Sequence, residues 1–227
     1  MAALKFALIP MIAIVIGALL AGWRTPGQKL VAAMQHLAAG VVFAAAATEI
    51  LPLVMHGGSP AATLIGGAIG VAVMLGLKAA EGRFEGPVAL LAAIGLDLAI
   101  DGLVLGLAFI AGEKAGTLLA LALTLEVLFL ALTLTNDLTA RYRKAKAIGL
   151  TCALALLVPI GALVAQPVAL LSPAWITGFL SFGLMALLYL VTEELLVEAH
   201  EKPDSPLISA MFFVGFLALL LIEEIAM

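Results

Sequence analysis

Eight nearly uninterrupted apolar runs, each long enough to cross a bilayer as a helix, constrain this chain more than anything else in it. Hydrocarbon offers no water to a backbone amide or carbonyl, so a spanning segment satisfies its own hydrogen bonds, which takes roughly 20 apolar residues as a helix. Hydropathy and helix breakers put the spans near 5–23, 30–54, 61–78, 87–111, 117–136, 147–166, 174–198 and 207–227. The stretch from Phe6 to Trp23 is longer than a signal-peptide core and lacks a small-residue cleavage pattern before Arg24, so it is read as the first span. Gly57-Gly58-Ser59-Pro60, Gly112-Glu113-Lys114-Ala115-Gly116, Gln166-Pro167 and Pro203-Asp204-Ser205-Pro206 mark turns, because Gly and Pro end helices. The expectation is an all-α, polytopic membrane bundle over residues 1–227, one domain with no soluble appendage.

Composition agrees: 64% hydrophobic and 11% charged residues, with a mean hydropathy of +1.24, leave too little polar surface for a water-soluble fold. A net charge of -4 and the lack of a basic, aromatic-studded groove argue against a nucleic-acid partner. Cys152 stands alone in an apolar run, which excludes a disulfide framework and a thiolate metal cluster and makes it a lipid-facing or core residue.

Lys and Arg are retained on the cytoplasmic side during insertion. Alternate loops carry Arg24 and Lys29, then Lys78 and Arg83, then Arg141, Arg143, Lys144 and Lys146, then Lys202, whereas the other side holds only Lys5 and Lys114. Both termini are therefore expected outside the cytoplasm. A faint internal echo accompanies this topology: Thr48-Glu49, Leu51 and His56 match Thr192-Glu193, Leu195 and His200 at identical spacing. An inverted repeat of spans one to three against six to eight, around spans four and five, would produce it.

Charge in the fourth and fifth spans carries the functional reading. Asp97 and Asp101 lie four residues apart, on one helix face, near the middle of the fourth span; Glu126 lies near the middle of the fifth. A carboxylate at the bilayer centre costs on the order of 3 kcal/mol on insertion scales. No Lys or Arg within these spans compensates, so either the acids keep protons and pack as a hydrogen-bonded cluster, or they surround a metal whose double charge keeps them ionised. Gly95, Gly102 and Gly106 allow close helix approach in both cases.

These residues resemble those of the ZIP family of divalent-metal transporters, which has eight spans and both termini outside the cytoplasm. The family's fourth span carries a His, three residues, an acid and Gly, with a further Gly four on; Asp97, Asp101, Gly102 and Gly106 occupy that pattern. Ala47-Thr48-Glu49-Ile50-Leu51-Pro52 is similar to its second-span close, Pro159 and Gly161 to its sixth span. Leu188 to Glu201, with Glu193, Glu194, Glu198, Ala199 and His200, looks like its seventh-span run of acids ending in Glu-Ala-His. This chain has Asp97 in place of the family's His, reduces the fifth-span motif to Glu126, and replaces the His-rich loop by Lys78 to Gly86.

The resemblance implies transport of a divalent metal ion by alternating access, and no enzymatic activity. Asp97, Asp101 and Glu126 form the expected midplane site. Glu49 would collect ions at the outer end, with Glu223 and Glu224 as outer candidates that also fit a simple interfacial role. Glu193, Glu194, Glu198 and His200 would receive ions at the cytoplasmic end, where Glu198, His200 and Glu201 also fit a solvated helix end. Oxygen ligands favour manganese, iron(II), magnesium or calcium over zinc, which imidazole suits better. His36 reads as an interfacial imidazole, His56 as a loop residue, and Met34, Met74 and Met185 as packing. Asn136-Asp137 with Arg141 reads as the fifth helix end meeting a basic loop. The lipid bilayer and a possible second copy of the chain are the other expected partners.

Two further readings compete. An intramembrane aspartyl protease would need one Asp from each of two helices, whereas Asp97 and Asp101 share one, and the Gly-x-Gly-Asp and Pro-Ala-Leu motifs are missing. A regulatory relative that binds metal without transporting it would also fit the reduced fifth-span motif.

Overall fold

The computed structural model describes residues 2–23, 27–81, 86–201 and 205–226, and within them lie eight helices long and apolar enough to cross a membrane. Helix α1 spans Ala2–Trp23, α2 Gln28–His56, α3 Pro60–Glu81 and α4 Pro87–Ala111. Helix α5 spans Glu113–Thr139, α6 Lys144–Leu170, α7 Pro173–His200 and α8 Pro206–Ala226. No strand occurs among the described residues. This architecture is consistent with a multi-pass integral membrane protein. Arg24, Arg83, Lys202, Pro203 and Asp204, used above for sidedness and for the last turn, lie outside the described residues.

Three helices depart from a regular α ladder. α6 breaks at Ala155 and Leu156, because Pro159 has no N–H to give the Ala155 carbonyl four residues back. α2 contains a π-helical turn at Ala46–Ile50, beside Pro52, which likewise withholds a donor from the Thr48 carbonyl. α7 contains a second π turn at Leu190–Leu195, where the Thr192 hydroxyl donates to the Leu188 carbonyl over 2.9 Å. Both π turns fall on the Thr-Glu pairs of the sequence echo, Thr48-Glu49 and Thr192-Glu193.

Two turns are placed differently from the sequence expectation. The break between α4 and α5 is Gly112 alone; Glu113 to Gly116 are already helical, with Glu113 favourably set against the positive end of the helix dipole. The break before α7 lies at Leu171 and Ser172, while Gln166 and Pro167 belong to a 3-10 turn, since Pro at the start of such a turn lacks only a donor that would go unused. The Gly57–Ser59 turn holds, with Gly58 at a positive φ of 66° and Pro60 opening α3.

Small residues mediate several close helix contacts, beside a core that also buries Ile14, Leu105, Leu119 and Leu123. α1 packs on α5, α4 on both α5 and α6, α2 on α8, and α3 on α7. α1 buries Ala3, Ala7, Ala13, Gly17, Ala18 and Ala21 while leaving Ile9, Ile12, Ile16 and Leu19 exposed. Dispersion between closely approaching backbones holds such a bundle where lipid tails are as apolar as leucine. The backbones of α4 and α6 approach closely from both sides, where a Cβ on Gly102 would strike the Val158 carbonyl and one on Gly161 the Ala99 carbonyl. That packing fixes the height and rotation of α4, and with it both aspartates. Cys152 is half-buried in α6.

Candidate metal centre

α4 and α5 are antiparallel neighbours joined by one extended glycine, so residues near their middles meet. Asp97 and Asp101 sit one turn apart on α4, and Glu126 faces them from α5. Each offers a carboxylate oxygen, and the three oxygens all lie within 4.8 Å of one another. An ion with ligands about 2.0–2.6 Å away spreads its oxygens over no more than roughly 4–5 Å, so this spacing suits a hard divalent cation.

Burial sharpens the case. Asp101 is 2% and Glu126 1% exposed, and Asp97 is half-buried. Asp101 Oδ2 and Glu126 Oε2 have no hydrogen-bond partner among the described residues. The charges that bear on the two are those of Asp97, Glu194 and each other, all negative. Buried carboxylates with lone pairs unspent and only like-charged neighbours are expensive unless a cation joins them.

A cavity of about 30 Å³ adjoins the site, lined by Gln35, Asp97, Glu126, Thr133, Glu194 and Glu198 among others. That is room for one or two water-sized bodies. Asp97, Glu194 and Glu198 also line a wider space of about 410 Å³ that reaches Lys78, Glu193 and Glu201 at the basic end of the bundle. A neighbouring space of about 340 Å³ at the same end is lined by Gln28, Asn136, Asp137, Glu198 and Glu201. Acidic side chains thus mark a route from the buried oxygens to the surface. An apolar groove of about 300 Å³ between α3 and α7, walled by Ile65, Ile69, Trp175, Phe179 and Phe182, offers no such chemistry.

The remaining candidates separate into two ends. At the basic end, Glu193 is exposed and Glu194 half-buried. Glu198 accepts a 2.5 Å hydrogen bond from Gln35 Nε2. His200 Nδ1 donates to the Leu196 carbonyl over 2.6 Å, and its ring meets His36 edge-on with centroids 5.0 Å apart. His36 is not interfacial: it is 1% exposed, its Nδ1 donates to the Ala32 carbonyl over 2.9 Å, and its Nε2 has no partner among the described residues. The cause is α7, which covers that face of α2. At the opposite end, Glu49 is buried and Glu224 exposed, and Lys114 lies 3.7 Å from Glu49 and 3.2 Å from Glu223. His56 ends α2 rather than lying in a loop, its Nδ1 donating to the Pro52 carbonyl over 2.6 Å. Met74 is buried, and Met34 and Met185 partly so.

Gln35, Thr133 and Asp137 were not singled out for this site by sequence. Thr133 and Asp137 carried a usable signal, since with Glu126 they follow i, i+7 and i+11 along one face of α5. No protein-family model matches this chain, and no curated protein matches it.

Proposed function

We propose that this chain carries a divalent metal cation across a membrane, in the manner of the ZIP transporters it resembles, through a midplane site made by Asp97, Asp101 and Glu126. The observation that carries the reading is the meeting of three carboxylate oxygens within 4.8 Å, two of the acids buried and holding unpartnered oxygens. At that depth such a trio needs compensation, and a double positive charge supplies it while keeping all three acids ionised as ligands. All-oxygen ligation makes manganese, iron(II) or magnesium the preferred cargo, with zinc held more weakly.

The route from the site through Glu194 and Glu198 to Glu193, Glu201 and His200 serves as the cytoplasmic exit, since the basic residues Lys29, Lys78, Arg141, Arg143, Lys144 and Lys146 collect at that end. Both termini then face away from the cytoplasm, and Glu49 lies on the entry side.

Alternating access follows from an inverted repeat of α1–α3 and α6–α8 around α4 and α5. The packing of α1 on α5 corresponds to that of α6 on α4, and the packing of α2 on α8 to that of α7 on α3. Gly17 and Gly161, separated by the same interval as Thr48 and Thr192, each abut a backbone carbonyl of the central pair, Leu128 and Ala99. The two π turns coincide with the echoed Thr-Glu pairs. Two equivalent halves can exchange conformations, so movement of the α1, α4, α5, α6 group against α2, α8 and α3, α7 would open the site to one side and then the other.

Reconstituted vesicles loaded with a manganese-sensitive dye test this directly. Uptake that saturates with manganese and disappears in Asp101→Asn supports transport; binding without uptake would favour the non-transporting relative. Crystals soaked separately with manganese and zinc should give an anomalous peak between α4 and α5, strongest for manganese, and its absence in both would end the reading.

A further inference from the structure

The turn between α5 and α6 gathers Arg141, Arg143, Lys144 and Lys146, four of the chain's eleven Lys and Arg, within six residues. All four are exposed. No ion pair among the described residues involves any of them. Asp137, the acid nearest in sequence, lines the space it shares with Glu198 and Glu201, which none of the four cations lines. Lys144 and Lys146 also occupy the first turn of α6, where the positive end of the helix dipole disfavours a cation, and Arg143 caps that helix without a side-chain hydrogen bond. The turn therefore presents a strongly positive face.

Its backbone is ordered as well. The Arg141 and Tyr142 amides donate to the Leu138 carbonyl over 3.1 and 2.8 Å, and the Lys146 and Ala147 amides to the Arg143 carbonyl over 2.8 and 3.0 Å. Leu134, Leu138 and Ala147 form a buried cluster against which Tyr142 packs, and the Lys146 ammonium lies 4.2 Å from the centre of the Tyr142 ring. A surface already held in place loses little conformational entropy when it binds.

Depth identifies the partner. Leu134 and Leu138 are buried in the last turns of α5, so the cations stand directly at the end of an apolar span. A Cβ on Gly22 of α1 would meet the Ile148 side chain one turn into α6, which places the end of α1, with Trp23, beside the same turn. Trp23 is 88% exposed. An indole closing one span and a run of cations closing another match the headgroup level of a bilayer, where lipid phosphates are the neighbouring anions.

We propose that Arg141, Arg143, Lys144 and Lys146 form a docking surface for anionic phospholipid headgroups in the leaflet at this end of the bundle, with Trp23 seated at the same interface. Phosphate oxygens accept hydrogen bonds from these side chains, the guanidinium groups offering paired N–H donors and the ammonium groups point charges. The surface uses no residue of the acidic route, so it stands or falls separately from the transport reading.

The full-length chain reconstituted into phosphatidylcholine bilayers tests this, with Trp175→Phe leaving Trp23 as the only tryptophan. Quenching of its fluorescence by brominated phosphatidylglycerol, measured against brominated phosphatidylcholine, gives the relative affinity of the lipid sites around the turn. Both leaflets carry the same lipids, so the direction of insertion does not enter. Each surface cation strengthens attachment to anionic lipid about fivefold. Phosphatidylglycerol should therefore be preferred at least about fivefold at low salt, and the preference should vanish when Arg141→Gln, Arg143→Gln, Lys144→Gln and Lys146→Gln are combined. With the turn intact, salt at about 1 M should remove most of the preference by screening, a readout that needs no multiple variant to fold. Equal quenching by the two lipids, a preference indifferent to salt, or one that survives the four substitutions overturns the proposal. So does displacement of the quenching lipid by millimolar inorganic phosphate, which would make the partner a soluble anion.

Discussion

Asp101 on α4 and Glu126 on α5 face each other almost sealed from solvent, each keeping one carboxylate oxygen without a hydrogen-bond partner among the described residues. A pair of this kind costs stability in the metal-free protein and recovers it when a cation binds. Asp101→Asn should therefore raise the metal-free melting temperature and erase the rise that manganese gives the wild type. A ligand at about 100 times its Kd adds about 2.7 kcal/mol, a shift easily resolved by thermal unfolding in detergent. An Asn variant that still gains as much from manganese as the wild type would remove Asp101 from the site.

Depth also separates residues that composition alone cannot. Removing one partner of a buried charge interaction costs about 2–5 kcal/mol, so Asp101→Asn should weaken manganese binding about 30-fold or more. Glu201 is exposed at the mouth of the route, where an ionic contact is worth about 0–1 kcal/mol, and Glu201→Gln should change affinity by no more than about fivefold. Titration calorimetry on the two variants checks the ordering, and comparable losses would contradict the assignment.

Protons should compete with a metal at the proposed site, which would take Asp97, Asp101 and Glu126 in their ionised forms, so that each ligand carrying a proton before binding would have to release it. The sign is fixed: affinity should fall as pH falls, and binding should release protons whose heat scales with the buffer's ionisation enthalpy. Calorimetry in two buffers at one pH measures the number released. An affinity that rises on acidification would rule out carboxylate ligation.

The fold was largely legible because a membrane span must satisfy its own backbone, which ties sequence to structure more tightly than water does. Asp97, Asp101 and Glu126 were legible for the same reason, being charges where charges are costly. What hid were features set by contacts between distant segments. His36 looks interfacial by position and is buried because α7 covers it. Glu194 sits in a run of closely spaced acids, and only the packing around α7 separates its half-burial from the exposure of Glu193. The π turns leave no mark in hydropathy, although Pro52 was a local hint for one of them. The pairing of Lys114 with Glu49 and Glu223 joins three helices and could be found only in three dimensions.

The α4–α6 contact tests whether packing, and not the acids alone, builds the site. Gly102 and Gly161 interlock: a Cβ on the first meets the Val158 carbonyl and on the second the Ala99 carbonyl, backbone atoms that cannot step aside. Gly102→Ala and Gly161→Ala should each cost about 1–3 kcal/mol as overpacking. The double variant should cost less than the sum, because the first methyl already parts the helices and the second enters the gap. Gly149→Ala, on the same α6 but with nothing within 4 Å of an added Cβ, should instead stabilise by about 0.5–1 kcal/mol through helix propensity. Since Asp97 and Asp101 ride on α4 while Glu126 rides on α5, the displaced α4 of Gly102→Ala should also bind manganese more weakly though every ligand remains. Melting curves and manganese titrations on the four variants measure both effects. Full affinity in a destabilised Gly102→Ala would mean that the three oxygens do not depend on the seating of α4.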